Sequence, residues 1–431
     1  MPENSKIRVR FAPSPTGLFH IGSARTTLFN YLFAKKYKGN FILRIEDTDK
    51  ERSKKEFEKD IINGIEWLGL KWDELYYQSK RTKIYEKYLK QLLDSGKAYK
   101  KEIIWFKNPN KKVVFSDLIR DKVEVDSSVL GDFSLAKDLK TPLYNFAAVV
   151  DDHEMEISHI IRGEDHISNT PKQILVYEAL GWTPPIFAHL PLILGPDRSK
   201  LSKRHGATSF TEYKNQGYLP EAMVNFMILL GWNPGNNREI FSLKELEKEF
   251  SVEKIQKSGA VFNIEKLNWF NNHYIRQKPT KELMKLCSPY LKDKKFKTDS
   301  KKLEKIVKLE QERIKTLSEI GETAKFFFKE PNYEPKLLVW KNATRQEITE
   351  SLNKSYSILC DVKERDFKAL KLQQILMKNA EQFGSGDRGK LLWPLRVALS
   401  GRDKSPGPFE IADVLGKKEV LKRIKNAQKI I

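Results

Sequence analysis

With 431 residues, the chain is too long for one ordinary core and predicts two to four domains. Apolar residues make up 40% and charged residues 31%, which fits a globular protein; no run of ~18 uncharged apolar residues occurs and no signal-peptide stretch is seen, so no transmembrane helix is expected. Lys plus Arg number 78 against 57 Asp plus Glu, a formal charge of +21 that suits nucleic acid or another polyanion, though a Lys- and Asn-rich surface gives the same sum.

The predicted elements alternate between strand and helix in the first half. Ile7, Val9 and Phe11 alternate as a strand, and Pro13-Ser14-Pro15-Thr16-Gly17 follows as a turn. A helix is predicted from His20 to Lys36, with Ile21, Ala24, Leu28 and Leu32 as its apolar face, Phe29 and Phe33 beside them, and Gly39 ending it. Phe41 to Ile45 is a short apolar run, the pattern of a strand buried on both faces. Residues 97–143 break the rhythm with short β-type runs such as Lys112-Val113-Val114-Phe115, and read as an insertion. Near Tyr144 the rhythm resumes. Ser158 to Ile161 is a buried strand, Asn169 caps a helix with Pro171 in its first turn and Gly181 at its end, and a strand runs from Phe187 to Leu194. Such units imply a parallel sheet with right-handed crossovers. The expected fold is multidomain: an α/β Rossmann-type domain in two halves, 1–96 and 144–205, around a small inserted α+β subdomain at 97–143. Residues 206–284 follow as a separate region, and 285–431, Lys-rich and helical in spacing, as an all-α domain.

Ligands of open α/β sheets bind beyond the carboxyl ends of the strands, where the polar residues of this chain collect. The first strand leads to His20-Ile21-Gly22-Ser23 at a helix start, whose free N–H groups and dipole suit phosphate; Gly22 admits close approach to the backbone. The second ends in Arg44-Ile45-Glu46-Asp47-Thr48-Asp49 and the third in Arg162-Gly163-Glu164-Asp165-His166. The fourth leads to Lys200-Leu201-Ser202-Lys203-Arg204. A lone His-x-Gly or Lys-x-Ser-Lys says little, since a surface histidine or a solvated basic loop produces either. Both on opposite halves of one sheet are specific.

These stretches resemble bacterial glutamyl-tRNA synthetases, which are class I enzymes. Arg10 to Gly17 with His20-Ile21-Gly22-Ser23 is similar to their HIGH signature, and Lys200 to Arg204 to their KMSKS loop. Phe41 to Asp49, Tyr144-Asn145-Phe146-Ala147, Ile161 to His166, Gly217 to Ala222, Leu230-Gly231-Trp232 and Pro394 to Gly401 match as well, so the resemblance covers nearly the whole chain. Two departures stand out. Ser23 replaces the last His of HIGH, a change common within the family. After Gly96-Lys97-Ala98-Tyr99, where many relatives carry a cysteine-bearing, zinc-binding insertion, this chain passes through Lys100-Lys101 straight to Ile103-Ile104-Trp105-Phe106-Lys107. The acceptor-stem insert at 97–143 is thus expected to be shortened. Cys287 and Cys360, the only cysteines, stand in no metal-ligand spacing, so neither zinc nor a disulfide is expected and a cytoplasmic protein is.

The resemblance implies ATP-dependent activation of L-glutamate and transfer to the terminal ribose of tRNA(Glu), with 206–284 contacting the tRNA stem and 285–431 binding the anticodon. Neither step needs a protein nucleophile, so catalysis is positioning and charge stabilisation. By that resemblance His20 and Lys203 neutralise the transition-state phosphates, with Lys200 in support; Gly22, His20, Ser202 and Lys203 bind ATP, which brings Mg²⁺ on its phosphates. Arg10 and Arg162 correspond to carboxylate-binding arginines, Glu46 meets the ammonium and Tyr144 adds a hydroxyl, with Ser14 and Asn145 as further polar neighbours. A mutual ion pair of Arg162 and Glu46 is the competing structural reading. His159 and His189 read as structural, His166 as lining the site, and Asp151-Asp152 as structural, not a metal pair. Trp393, Arg396 and Arg402 are candidate tRNA contacts, with core packing favoured for Trp393. A monomer is expected. A rival that also charges tRNA(Gln) with glutamate stays open; a catalytically silent tRNA-binding module is disfavoured by intact His20 and Lys203.

Overall fold

The computed structural model describes residues 6–202, 209–294, 296 and 298–431, in two compact units, Met1–Phe270 and Asn271–Ile431. In the first unit β1 (Arg8–Phe11), α1 (Ile21–Lys36), β2 (Asn40–Ile45), α2 (Lys55–Trp67) and β3 (Glu74–Tyr77) form a parallel three-stranded sheet in the order β1-β2-β3. Helix α1 was expected to bury one face, yet Leu28, Phe29, Leu32, Phe33 and Ala34 are all buried. The helix is enclosed on more than one side: Asn30 Nδ2 donates to Ile161 O at 2.9 Å, and the Phe29 and Phe250 rings meet edge-on at 5.4 Å. Gly39 serves the exit from α1 by lacking a side chain. A Cβ there would lie 2.2 Å from Ile7 O, the carbonyl that accepts from Asn40 N–H at 2.8 Å to start β2 alongside β1.

After α3 (Thr82–Asp94), the segment expected as an insertion is built from strands: β4 (Ala98–Lys100), β5 (Ile104–Phe106), β6 (Lys112–Asp117), β7 (Asp121–Asp126), β8 (Phe133–Asp138) and β9 (Thr141–Pro142). Its expected helical part reduces to one 3-10 turn, Ser127–Leu130. Strands β4, β5, β8 and β9 make an antiparallel sheet, and β4 turns back on β5 at once, with Lys101 N–H donating to Ile103 O at 3.0 Å.

The rhythm returns with α4 (Tyr144–Glu154), β10 (His159–Gly163), α5 (Thr170–Ala179), β11 (Ile186–Leu190) and β12 (Ile193–Leu194). Here β10 and β11 pair in parallel, and the β6–β7 hairpin joins the same sheet through Phe187 and Asp117. The single sheet expected is therefore two hydrogen-bonded sheets that meet where Ser158 N–H donates to Arg8 O at 2.9 Å. Two local expectations are corrected. Asn169 makes no side-chain cap: it lies in right-handed helical conformation at the end of the 3-10 turn Glu164–Asn169, and Pro171 at the second helical position has no N–H to offer it. The strand expected from Phe187 to Leu194 splits at Pro191, which has no N–H to offer a ladder. Beyond the split, β12 pairs instead with β13 (Ala260–Val261).

Helices α6 (Phe210–Gln216), α7 (Pro220–Ile228), α8 (Leu243–Glu249) and α9 (Ile264–Gln277) lead to the second unit. That unit holds α10 (Thr280–Asp293), α11 (Ser300–Glu310), α12 (Ile320–Thr323), α13 (Arg345–Asp361), α14 (Ala369–Phe383), α15 (Gly389–Ser400), α16 (Pro408–Leu415) and α17 (Lys417–Ile430). Thr344 and Glu347 close a capping box at the start of α13, and Gly401, in left-handed conformation, ends α15 where a Cβ would meet Pro331 at 2.6 Å. Among the described residues no helix is long and apolar enough to cross a membrane.

Candidate active site

Two neighbouring acids on α4 organise the floor of the site. Asp152 accepts from Arg10 Nε at 2.9 Å and Nη2 at 3.3 Å, and from Arg44 Nη1 at 2.7 Å. Arg44, fully buried, also donates to Glu46 at 2.9 Å. Asp151 accepts from Arg81 Nε at 2.6 Å, Gln78 Nε2 at 2.8 Å and the Tyr85 hydroxyl at 2.8 Å. Burial alone would raise the Asp152 pKa, but Arg10 and Arg44 hold it below the usual carboxylate range. At Glu46 burial outweighs the pull of Arg44, so its pKa is raised. The acids thus compensate Arg10, Arg44 and Arg81.

Arg162 is different. Its Nε–H donates to His189 Nε2 at 3.2 Å and its Nη2–H to Thr170 Oγ1 at 2.7 Å, both uncharged partners. Its Nη1 is buried with no partner, and among the described residues no carboxylate forms an ion pair with it. The competing pairing of Arg162 with Glu46 is not made, since Glu46 bonds Arg44. Burial lowers the Arg162 pKa, and the Tyr144 hydroxyl acts against it. Arg162, Glu46 and Arg10 all act electrostatically on that hydroxyl, which lies 3.1 Å from His166 Nδ1. A buried cation with no carboxylate in hydrogen-bonding contact among the described residues can receive a small anion.

His20 stands at the N-cap of α1, and its Nδ1 accepts from Ser23 N–H at 3.2 Å. In the neutral ring the proton therefore sits on Nε2, 3.1 Å from Ser23 Oγ. Desolvation lowers the ring's pKa against the pull of Asp165, and Lys200 lowers it further. These effects favour the neutral ring, whose Nε2–H is the hydrogen-bond donor. Gly22 keeps room for the ring: a Cβ there would stand 3.2 Å from its Cε1 and Nδ1.

The other candidates are placed as follows. Ser14 is exposed in the loop after β1, its carbonyl accepting from Thr16 N–H at 2.8 Å. Asn145 Oδ1 accepts from Gln173 at 3.3 Å. Lys200 is exposed and bridged to Leu194, and Ser202 is half-buried. Lys203 lies outside the described residues. His159 is buried against Phe33 with Nδ1 2.9 Å from Ser158 Oγ, and burial lowers its pKa to about 4. In the helical unit, Trp393 is half-buried with its N–H bonded to Leu337 O at 2.9 Å. Arg396 lies 4.5 Å over the Trp393 ring and bonds Asp403 O, and Arg402 bonds Glu322 O. Among the described residues no group of three or more His, Cys, Asp or Glu is placed to hold a metal ion.

Sequence reasoning missed four structural partners: Arg44, Arg25, Asp117 and a connected role for His189. Arg25, buried in α1, donates to Leu230 O at 3.0 Å and to Pro191 O, and burial lowers its pKa to about 10. A signal existed. Arg44 and His189 interrupt apolar runs that are buried on both faces, where a polar group must be partnered.

A parallel α/β unit with a phosphate-ready helix start and a carboxylate-ready arginine defines a class of enzyme. The family profile for the catalytic domain of class I tRNA synthetases (E and Q) matches residues 6–105 and 100–269, and that for an anticodon binding domain matches 282–428. The chain belongs to the class I tRNA synthetases of this glutamate and glutamine group. It is similar to the glutamate–tRNA ligase of Elusimicrobium minutum (strain Pei191), 42% identical over 489 residues that cover 98% of this chain and 99% of the relative. Glutamate–tRNA ligase 1 of Caldanaerobacter subterraneus subsp. tengcongensis is also 42% identical, over 99% of this chain and 98% of the relative. A crystal structure of a glutamate tRNA ligase from Elizabethkingia meningosepticum in complex with its amino acid shares the fold at TM-score 0.86 and 32% identity, over 99% of each chain.

Proposed function

We infer that the chain is a glutamate–tRNA ligase. A glutamate carboxylate oxygen attacks the α-phosphorus of ATP, pyrophosphate leaves, and the 3′-terminal ribose hydroxyl of tRNA(Glu) then attacks the glutamyl-adenylate and releases AMP. The observation that carries this reading is the buried guanidinium of Arg162, whose Nη1 has no partner, acting with Glu46 on the Tyr144 hydroxyl. Glutamate brings two carboxylates and an ammonium. Arg162 and Arg10 take the carboxylates, Glu46 the ammonium and Tyr144 a further oxygen. ATP arrives as its Mg²⁺ complex, with the metal on the phosphates. His20 gives its Nε2–H to the phosphates at the start of α1, Gly22 lets them approach, and Lys200, Ser202 and Lys203 supply charge and orientation from the other half.

Within the two units the chain divides as catalytic halves 1–96 and 144–205, an acceptor-stem insertion at 97–143, a stem-contact region at 206–284 and an anticodon-binding domain at 285–431. Arg396 and Arg402 contact tRNA in the last of these, with Trp393 packed beneath Arg396. The split of the family match at 100–105, together with the immediate β4–β5 turn, supports an insertion shortened at that point. The protein works as a cytoplasmic monomer. The test is aminoacylation with glutamate and with glutamine, each against tRNA(Glu) and tRNA(Gln) separately. Charging of tRNA(Glu) with glutamate is expected, glutamate on tRNA(Gln) as well would assign the wider range, and no glutamate on either tRNA would refute the reading.

A further inference from the structure

A buried chain of side chains reaches Arg162 from the inserted hairpin. It begins at Asp117, the last residue of β6, which stands opposite Phe187 of β11. Asp117 Oδ1 accepts from the backbone N–H groups of Ile119 at 2.9 Å and Arg120 at 2.8 Å. Its Oδ2 lies 3.1 Å from His189 N and 2.6 Å from His189 Nδ1. Burial alone would raise the Asp117 pKa, yet these donors hold it low, so the carboxylate is purely an acceptor. His189 Nδ1 must then carry the ring proton, which leaves a lone pair on Nε2. That lone pair receives Arg162 Nε–H at 3.2 Å and lies 3.0 Å from the Thr170 hydroxyl, which itself accepts Arg162 Nη2–H at 2.7 Å. Two of the three guanidinium nitrogens are thereby pinned, and Nη1 is left over.

We propose that His189 and Asp117 are positioning residues that aim Arg162 at the carboxylate of the amino-acid substrate, which makes the inserted β6–β7 hairpin a working wall of the amino-acid pocket. This rests on the reading that Arg162 binds that carboxylate. The chemistry of the pair suits the task. A carboxylate in direct contact would compensate the arginine and weaken its hold on a ligand, whereas an imidazole with a fixed tautomer orients it and leaves its charge available. Burial lowers the His189 pKa more than the Asp117 hydrogen bond raises it, and Arg162 and Arg120 lower it further.

The test uses the full chain and measures KM for glutamate and for ATP in aminoacylation of tRNA(Glu). Gln and Leu at position 189 are similar in size, but only Gln can place an oxygen near the Nε2 position. His189→Leu should raise KM for glutamate about tenfold or more, with KM for ATP within about twofold, and His189→Gln should cost about threefold or less. Asp117→Asn should raise the glutamate KM in the native background and add little to His189→Gln, because an amide needs no tautomer fixed for it. Equal glutamate KM values for the Leu and Gln variants would overturn the role of His189. An equal effect of Asp117→Asn in both backgrounds, or none in either, would overturn that of Asp117. Arg162→Gln separates the proposal from the reading beneath it. Equal losses toward glutamate and ATP in that variant remove both, while a glutamate-selective loss there, with Leu and Gln alike at 189, removes only the proposal.

Discussion

Arg44 and Arg162 are both buried arginines in the catalytic unit, yet their removal should have very unequal consequences for folding. Arg44 has Asp152 at 2.7 Å, Glu46 at 2.9 Å and Asp151 at 3.9 Å. Arg44→Met strands these buried acids, which typically costs ~3–5 kcal/mol. Arg162→Met removes two hydrogen bonds made by a charged group, together worth ~3–6 kcal/mol net, and the partners left behind satisfy each other, since Thr170 Oγ1 and His189 Nε2 are already 3.0 Å apart. The same change relieves the burial of a guanidinium that no carboxylate contacts, a desolvation penalty of several kcal/mol for an ion, with Nη1 unpartnered as well. The two effects oppose each other, and the net change in stability is small, within ~2 kcal/mol. Binding reverses the order: Arg162→Met loses a charge-assisted contact worth ~1.5–3 kcal/mol, or about 10- to 150-fold in glutamate affinity. Denaturant unfolding of both variants, with glutamate and ATP affinities for Arg162→Met, makes the comparison. If Arg162→Met unfolds as readily as Arg44→Met, Arg162 is a structural arginine and the site argued from its unpaired charge is wrong.

Three further outcomes are expected. His159 is buried with its pKa lowered to about 4 from 6.5, so the unfolded ring takes up a proton between those values while the folded ring does not, and stability is lost as pH falls through that window. At ~1.4 kcal/mol per unit the whole window amounts to ~3 kcal/mol, and His159→Gln should flatten the dependence of unfolding free energy between pH 7 and 4.5 by ~2 kcal/mol; a variant with the native slope counts against it. Gly22→Ala sets a methyl 3.2 Å from the His20 ring and should lower ATP activation by about tenfold while sparing glutamate affinity, read by kinetics at saturating tRNA. Purified protein should contain no stoichiometric zinc, and metal analysis finding about one zinc per chain would overturn that expectation, which takes a single structural site of the usual kind as its standard.

Much of the fold is written in local pattern. The alternation in Arg8–Phe11, the apolar run Asn40–Ile45 and the periodicity of Ile21–Lys36 each specify an element through contacts a few residues apart, which is why their bounds were legible. The signature residues are legible for a related reason. His20, Gly22 and Ser23 act within one helical turn, so their spacing along the chain is already their geometry. Local chemistry misled where the neighbouring turn decided: Asn169 carries a capping side chain, but the turn before it leaves it in helical conformation, and Pro171 has no N–H to be capped.

What sequence could not supply is how charges are shared over long separations. Arg10 meets Asp152 across 142 positions, Arg44 meets it across 108, and Asp117 meets His189 across 72. No spacing encodes such pairs, because they form only when β1, β2, α4, β6 and β11 pack together. Composition and motif determined that this chain carries a nucleotide-type α/β unit with arginines and acids at its strand ends. Only the tertiary structure decided which arginines contact buried acids and that Arg162 contacts only uncharged partners: ion pairing depends on distances of a few ångströms inside a low-dielectric core, and those distances are set by packing.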